Sequence, residues 1–108
     1  MITFEDITKL FSNNLEGGLC IEIEFSLKDE PKYQTCNMGK MLNKEKELFW
    51  YGLVPDGSEA YDYDDFQKFS SALVFNGKTL KEIWKQVKLV SINSCDPEDM
   101  IKAYNRVP

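Results

Sequence analysis

The sequence predicts one α+β domain over residues 1–108, in which a mainly antiparallel sheet of about four strands carries helices on one face. Two patterns lead to this fold class. Residues 19–28 alternate apolar and polar side chains, as in a half-buried strand, and helix-capping residues precede apolar side chains in both halves of the chain. A length of 108 residues, 43% of them hydrophobic, suits a single core.

The first helix is predicted to start at Thr3, because Asp6 follows it at the spacing of a capped helix start. Apolar residues at helical spacing then lead to a predicted end at residues 13–14. Glycines at residues 17–18 break the pattern, so the alternating strand begins directly after them.

Three further strands are predicted. Pro31 marks a turn after the first strand, because proline fixes its own backbone and restricts the residue before it. Residues 33–42 form a second strand, and residues 47–54 form a third, rich in aromatic side chains and stopped by a turn at residues 55–58. Residues 88–93 resemble a fourth strand, and the short connections favour an antiparallel meander.

Three helix starts are predicted in the second half of the chain. Asp62 caps a short helix. Thr79 and Glu82 have the spacing of a capping box, in which each side chain accepts a hydrogen bond from the other residue's backbone N–H. Pro97 occupies the first turn of a last helix, where its missing N–H costs nothing.

The chain contains no histidine. Serine or cysteine nucleophiles that rely on histidine, and the HExxH zinc site, are thereby excluded. What remains is chemistry without histidine. We predict that the protein is not an enzyme, and we assign it no catalytic residue, no cofactor and no metal.

Carboxylates are the remaining candidates for acid–base chemistry. Glu22 and Glu24 lie on one side of the predicted strand, about 7 Å apart, which is within the range of the paired acids of glycosidases. Such a pair on the polar side of a strand is more often a solvated surface. The acids between residues 56 and 65 suggest a calcium loop, but they lack the glycine and the closing glutamate of the EF-hand pattern.

The three cysteines, Cys20, Cys36 and Cys95, are widely spaced and form no CxxC pair. This spacing predicts neither a disulfide framework nor a zinc site, and it favours reduced thiols in the cytoplasm. The acidic N-terminus lacks the pattern of a secretory signal, and no stretch reaches the roughly 20 apolar residues of a membrane span. We predict a cytoplasmic protein without membrane contact.

Charge is distributed unevenly along the chain, whose net charge is -5. Residues 1–65 are acidic and residues 66–108 are basic. The overall acidity argues against nucleic-acid binding. Four lysines of the basic part follow helical spacing, and we expect them to form a solvated helix face rather than a phosphate or membrane site: Lys78, Lys81, Lys85 and Lys88.

Residues 49–65 combine aromatic and acidic side chains at a density that one strand and one turn do not bury. Tyrosine and tryptophan anchor many protein interfaces, because they offer a large contact area with a polar tip. The alternative is that the rings cover the edge of the core. The partner-binding candidates are Trp50, Glu59, Tyr61, Asp62, Tyr63, Asp64 and Asp65.

The same segment, FWYGLVPDGSEAYDYDD, resembles a stretch of the SUKH superfamily, in which a strand with an aromatic residue and a glycine leads through a D-G-x-E turn into an aromatic and acidic second strand. The resemblance covers residues 49–65 of the 108. It implies an α+β fold and a non-enzymatic role. Many bacterial members of that superfamily are immunity proteins that bind and neutralise toxins.

The sequence therefore favours a non-catalytic protein-binding domain of the immunity or phage-inhibitor type, whose partner is another protein. The competing hypothesis is a small carboxylate-based enzyme or ligand-binding domain that uses Glu22, Glu24 or Asp62. A third hypothesis, acidic mimicry of nucleic acid, is disfavoured by the lysines of the second half.

Overall fold

Strand pairing determines the architecture of this protein. A computed structural model describes residues 1–13 and 20–105. Five strands form one antiparallel sheet in the order β4-β3-β2-β1-β5, so the predicted α+β class is confirmed with five strands instead of about four. The elements are α1 (Phe4–Phe11), β1 (Ile21–Leu27), β2 (Cys36–Asn43), β3 (Lys46–Gly52), β4 (Ala60–Tyr63), α2 (Phe66–Ser71), a one-turn 3₁₀ helix (Trp84–Gln86), β5 (Val87–Ile92) and α3 (Pro97–Asn105).

The sheet has one covered face and one open face. In β1, four buried apolar residues alternate with residues on the other side of the strand, among them the exposed Glu22 and Glu24. The helices pack on a single face, as the alternation predicts, because the buried side of the strands and all three helices share one hydrophobic cluster. The helical members of that cluster are Ile7, Leu10, Phe11, Phe69 and Ile101.

Thr3 and Asp6 start α1 as predicted. Thr3 Oγ1 accepts a hydrogen bond from the backbone N–H of Asp6 at 3.1 Å, and the Asp6 carboxylate accepts one from the backbone N–H of Thr3 at 2.9 Å. The helix ends at Phe11, two residues before Asn13. The predicted glycine break and strand start at residues 17–19 lie outside the described residues.

A buried lysine joins α1 to the sheet. Lys40 lies on the covered face of β2 and is 1% exposed. Its ammonium group donates hydrogen bonds to the carbonyl oxygens of Phe11 and Asn13, both at 2.7 Å, and forms an ion pair with Glu47. A cation in this place balances the partial negative charge of the carbonyl groups that end a helix.

The segment that follows β3 contains an additional strand. β4 pairs antiparallel with β3, and Asp62 lies opposite Trp50. The prediction that Asp62 caps a helix is therefore wrong. Asp65 caps α2 instead, with its Oδ1 accepting a hydrogen bond from the backbone N–H of Lys68 at 2.7 Å. Pairing with β3 keeps the chain extended through Tyr63, so the helix begins only after that residue.

The helix predicted from Thr79 is limited to about one turn. The capping box forms, since the Thr79 N–H donates to the Glu82 carboxylate at 2.9 Å and the Glu82 N–H donates to Thr79 Oγ1 at 3.2 Å. The turn ends in the 3₁₀ helix because Val87 already pairs with β1. Lys88 consequently lies in β5, and the predicted lysine-lined helix face does not form.

The last two elements lie where the sequence predicts them. β5 leaves the meander and pairs with the free side of β1, which makes it an edge strand. Asp96 precedes α3, and its Oδ2 accepts a hydrogen bond from the backbone N–H of Asp99 at 3.1 Å. Pro97 occupies the first position of this helix.

The three cysteine thiols are unpaired and differ in environment. Cys36 is buried in β2, with its Sγ 3.3 Å from the carbonyl oxygen of Leu53, and burial raises the pKa of its thiol to about 11. Cys20 and Cys95 are exposed. Because the thiolate is the reactive form, Cys36 is protected by both burial and protonation.

We expect two of the three thiols to react with an aromatic disulfide reagent in the folded protein and the third only after unfolding. Thiol titration with and without denaturant, in the absence of reductant, measures both classes. The Cys36→Ala variant should lose only the thiol that reacts after unfolding. Fewer than three reactive thiols in the unfolded, non-reduced wild type would contradict this expectation.

We expect Lys40→Met to destabilise the fold by about 1–3 kcal/mol, because it leaves buried carbonyl groups at the end of α1 without a hydrogen-bond donor. Denaturant unfolding of the variant and the wild type measures the difference. Lys46→Met, at an exposed lysine of β3, is the matched control and should change stability by less than about 0.5 kcal/mol. Equal losses of stability in both variants would show that the buried hydrogen bonds of Lys40 do not stabilise the fold.

Candidate functional site

A row of paired residues crosses the open face of the sheet from β1 to β4. Glu22 pairs with Gly39, Gly39 with Trp50, and Trp50 with Asp62. Residues that pair directly across strands place their side chains on the same face, so Glu22, Trp50 and Asp62 share the open face. With strands about 4.8 Å apart, the row extends over about 14 Å.

Gly39 provides the space in which the Trp50 ring lies. A Cβ atom at Gly39 would lie 2.7 Å from Cζ2 and 2.8 Å from Cε2 of Trp50, and it would overlap the carbonyl oxygen of Ile21. The indole therefore extends from β3 over β2 and is half-buried against the sheet. Its position is set by the backbone beneath it, which leaves a fixed aromatic surface towards solvent.

The neighbouring row contains small and polar residues. Glu24 pairs with Ser91 of β5 on one side and with Asn37 of β2 on the other. Asn37 pairs with Gly52, which in turn pairs with Ala60. The positions beside Trp50 on β3 and β4 are therefore occupied by residues with little or no side chain, Gly52 and Ala60.

Apolar side chains lie on the other side of the same ring. Met41 and Leu48 pair with each other across β2 and β3, two residues along from Gly39 and Trp50. Met41 is 41% exposed. Trp50, Met41 and Leu48 therefore form an apolar patch on the open face, and the polar row that contains Glu24 and Asn37 lies along the Trp50 side of it.

Carboxylates border this patch on β1 and on β4. Glu22, Glu24 and Asp62 are exposed, and within residues 1–13 and 20–105 none of the three forms an ion pair. Lysines of the same face lie towards its margins, with Lys88 opposite Ser26. The border of the apolar patch is consequently negative on β1 and β4, and these charges are available to a partner.

The two candidate tyrosines pack against the core and do not lie on the open face. Tyr61 lies opposite Tyr51 and Tyr63 lies opposite Phe49, on the covered face, where both are half-buried against the hydrophobic cluster. The Tyr63 and Tyr51 rings meet edge to face at 6.2 Å. Burial raises the pKa of the Tyr63 hydroxyl. These rings cover the edge of the core, which is the alternative that the sequence left open.

Glu59 connects two loops. Its carboxylate accepts a hydrogen bond from the Tyr33 hydroxyl at 2.7 Å and pairs with Lys32, and its carbonyl oxygen accepts one from the Leu53 N–H at 3.0 Å. The hydrogen bonds from Lys32 and Tyr33 lower the pKa of the Glu59 carboxyl. Burial and the bond to Glu59 raise the pKa of Tyr33.

The last two acidic candidates organise α2. Asp65 is its N-cap, and the carboxylate of Asp64 pairs with the Lys68 ammonium at 3.0 Å. Of the seven predicted candidates, only Trp50 and Asp62 lie on the open face. Glu22 and Glu24 lie on the same face. The sequence pattern favoured the interpretation of these two residues as part of a solvated surface.

Gly39 was not singled out from the sequence, although a signal was present. A glycine inside a predicted strand often marks a place where another group approaches the backbone closely. Its partner in that approach, Trp50, became apparent only from the pairing of β2 with β3.

The open face offers little for acid–base chemistry. Glu22 and Glu24 are exposed on the open side of β1, whereas catalytic groups usually lie in a cleft that surrounds the substrate. In the part of the chain that the structure describes, no three Cys, Asp or Glu residues lie close enough together to hold a metal ion. No helix in that part is long and apolar enough to cross a membrane.

No protein-family model, curated protein or solved structure was found to match this chain. The resemblance of residues 49–65 to the SUKH superfamily therefore stays a prediction. The geometry of the open face is the main basis for a functional proposal.

We expect Glu59→Gln to destabilise the protein near pH 7 and to destabilise it less at about pH 3. The folded-state pKa of Glu59 is lowered, so its stabilising contribution is present above the pKa of the unfolded chain and is lost as pH falls through the folded-state pKa. Thermal melts of variant and wild type at both pH values measure the difference. Glu45→Gln is the control at an exposed turn residue without an ion pair among the described residues, and it should change the melting temperature little at pH 7. An equal effect of Glu59→Gln at both pH values would contradict the expectation.

Proposed function

We propose that this chain is a non-catalytic protein-binding domain that holds a basic partner protein on the open face of its sheet. The observation that carries the proposal is the row Glu22, Gly39, Trp50 and Asp62, in which a fixed indole ring has a carboxylate towards each end. Tryptophan is among the residues that contribute most binding energy at protein interfaces.

Charge determines the chemistry of the partner. The carboxylates of Glu22, Glu24 and Asp62 form no ion pairs with described residues, and the chain as a whole has a net charge of -5. An arginine of a partner stacks on the face of an indole and also pairs with a carboxylate beside it. We therefore expect arginine or lysine side chains of the partner to lie over Trp50.

The resemblance of residues 49–65 to the SUKH superfamily supports the same class of function, although that segment itself contains Trp50 and Asp62 of the row. It implies a protein that neutralises a toxin by binding it, and we propose an immunity-type or phage-type inhibitor acting in the cytoplasm. The unpaired thiols are consistent with a reducing compartment. An acidic face also disfavours nucleic acid as the partner.

Charge reversal on the open face is expected to weaken the complex strongly. The test is capture of partners from native lysate by the immobilised chain, identification of the captured protein, and a binding titration with that protein once purified. The double variant Glu22→Lys with Asp62→Lys, and separately Trp50→Ala, should each weaken binding by about tenfold or more. Binding should also weaken as salt concentration rises, because exposed charges are screened.

A second double variant controls for net charge. Glu45→Lys with Asp99→Lys makes the same change in charge at exposed acids of a turn and of α3. It should leave affinity within about twofold of the wild type, and both double variants should melt normally because the substituted acids are exposed. A thermal melt of the Trp50→Ala variant checks that this change at a half-buried position retains the fold. Equal weakening by both double variants, or full binding by the Trp50→Ala variant, would overturn the proposal.

A further inference from the structure

A second surface, unrelated to the open face, lies between the N-terminal segment, the 3₁₀ helix and β5. It is a cleft of about 480 Å³ whose apolar side consists of Ile2, Phe4, Trp84 and Val87. An adjoining cleft of about 340 Å³ shares Ile2, Trp84 and Val87 with it, so the two form one groove, the Trp84 groove. Clefts of a few hundred cubic ångströms with apolar and aromatic walls suit small molecules.

The aromatic wall of the Trp84 groove is held in place from two directions. The indole N–H of Trp84 donates a hydrogen bond to the carbonyl oxygen of Ile2 at 3.2 Å. The ring of Phe4 meets the indole nearly edge-on, with 5.9 Å between ring centroids. A ring that is already fixed loses little conformational entropy when a ligand packs on it.

Charge divides the Trp84 groove into two ends. Lys28, Lys81 and Lys85 line the larger cleft with Glu5, which gives it a net positive charge. These three lysines are exposed, and they form no ion pair with any carboxylate among the described residues. Two acidic side chains line the smaller cleft at the other end: Asp96, and Glu98, whose carboxylate lies 3.7 Å from the N-terminal ammonium group of Met1.

We propose that the Trp84 groove binds a small amphipathic carboxylate. The apolar body of the ligand lies against Trp84, Ile2 and Val87, and its carboxylate lies among Lys28, Lys81 and Lys85. At the far end Asp96, which forms no ion pair with a described residue, disfavours a negative head group and so sets the direction in which the ligand binds. The proposal is independent of the protein-binding function, because it uses no residue of the open face.

Trp84 itself reports on binding. The chain has two tryptophans, so Trp50→Phe leaves Trp84 as the only one. Decanoate, added below its micelle-forming concentration to this variant near pH 7, should change Trp84 emission along a saturable one-site curve. Decyltrimethylammonium has the same chain length and the opposite charge, and it should bind at least about tenfold more weakly.

Lysine substitutions locate the head group. In the Trp50→Phe background, Lys81→Ala with Lys85→Ala should raise the dissociation constant for decanoate by about tenfold or more. Lys78→Ala with Lys88→Ala makes the same change in charge outside the groove and should leave the constant within about twofold. Thermal melts check that both double variants, which alter exposed side chains, retain the fold.

Three results would overturn the proposal. The first is an absence of saturable change in Trp84 emission with decanoate. The second is equal binding of the cationic amphiphile. The third is an equal loss of affinity in the two lysine variants, which would show a general effect of charge rather than a head-group site. None of these results bears on the open face, so the two proposals succeed or fail separately.

Discussion

The buried ammonium group of Lys40 is the contact on which the arrangement of helix and sheet depends. It lies on the covered face of the middle strand, bonds the carbonyl oxygens of Phe11 and Asn13, and pairs with Glu47 of the next strand. A buried charge is tolerated only when its hydrogen bonds are satisfied, so the end of α1 has one favourable position relative to β2. That position places the apolar side of α1 against the sheet.

Strand register then decides which side chains a partner can reach. Because side chains alternate across a strand, the pairing of β3 with β4 directs Tyr61 and Tyr63 to the core and Trp50 and Asp62 to solvent. A shift of one residue would exchange the two sets. The aromatic and acidic segment is therefore divided between the core and the open face, and Glu22 of a distant strand completes the exposed part.

In the fold, the unevenly distributed charges of the chain lie on two separate surfaces. Acids from the first part of the sequence surround Trp50 on the open face, and lysines of the second part join Lys28 at the Trp84 groove. Each surface combines a tryptophan held in a fixed position with charged side chains that form no ion pair among the described residues, the acids Glu22, Glu24 and Asp62 on the open face and the three lysines at the Trp84 groove. Their opposite signs favour different ligands, a basic protein for one and a small anion for the other.

The sequence by itself determined the elements that rest on neighbouring residues. The Thr3 capping box, the alternation of β1 and the proline at the start of α3 were predicted because each depends on contacts within a few positions along the chain. Tertiary structure alone decided the strand at Asp62, the single turn after Thr79 and the buried Lys40. Each of these results from contacts between residues far apart in sequence, and such pairings leave no periodic pattern. The close contact between Gly39 and the Trp50 ring has the same origin, because only the pairing of β2 with β3 brings the ring over the glycine.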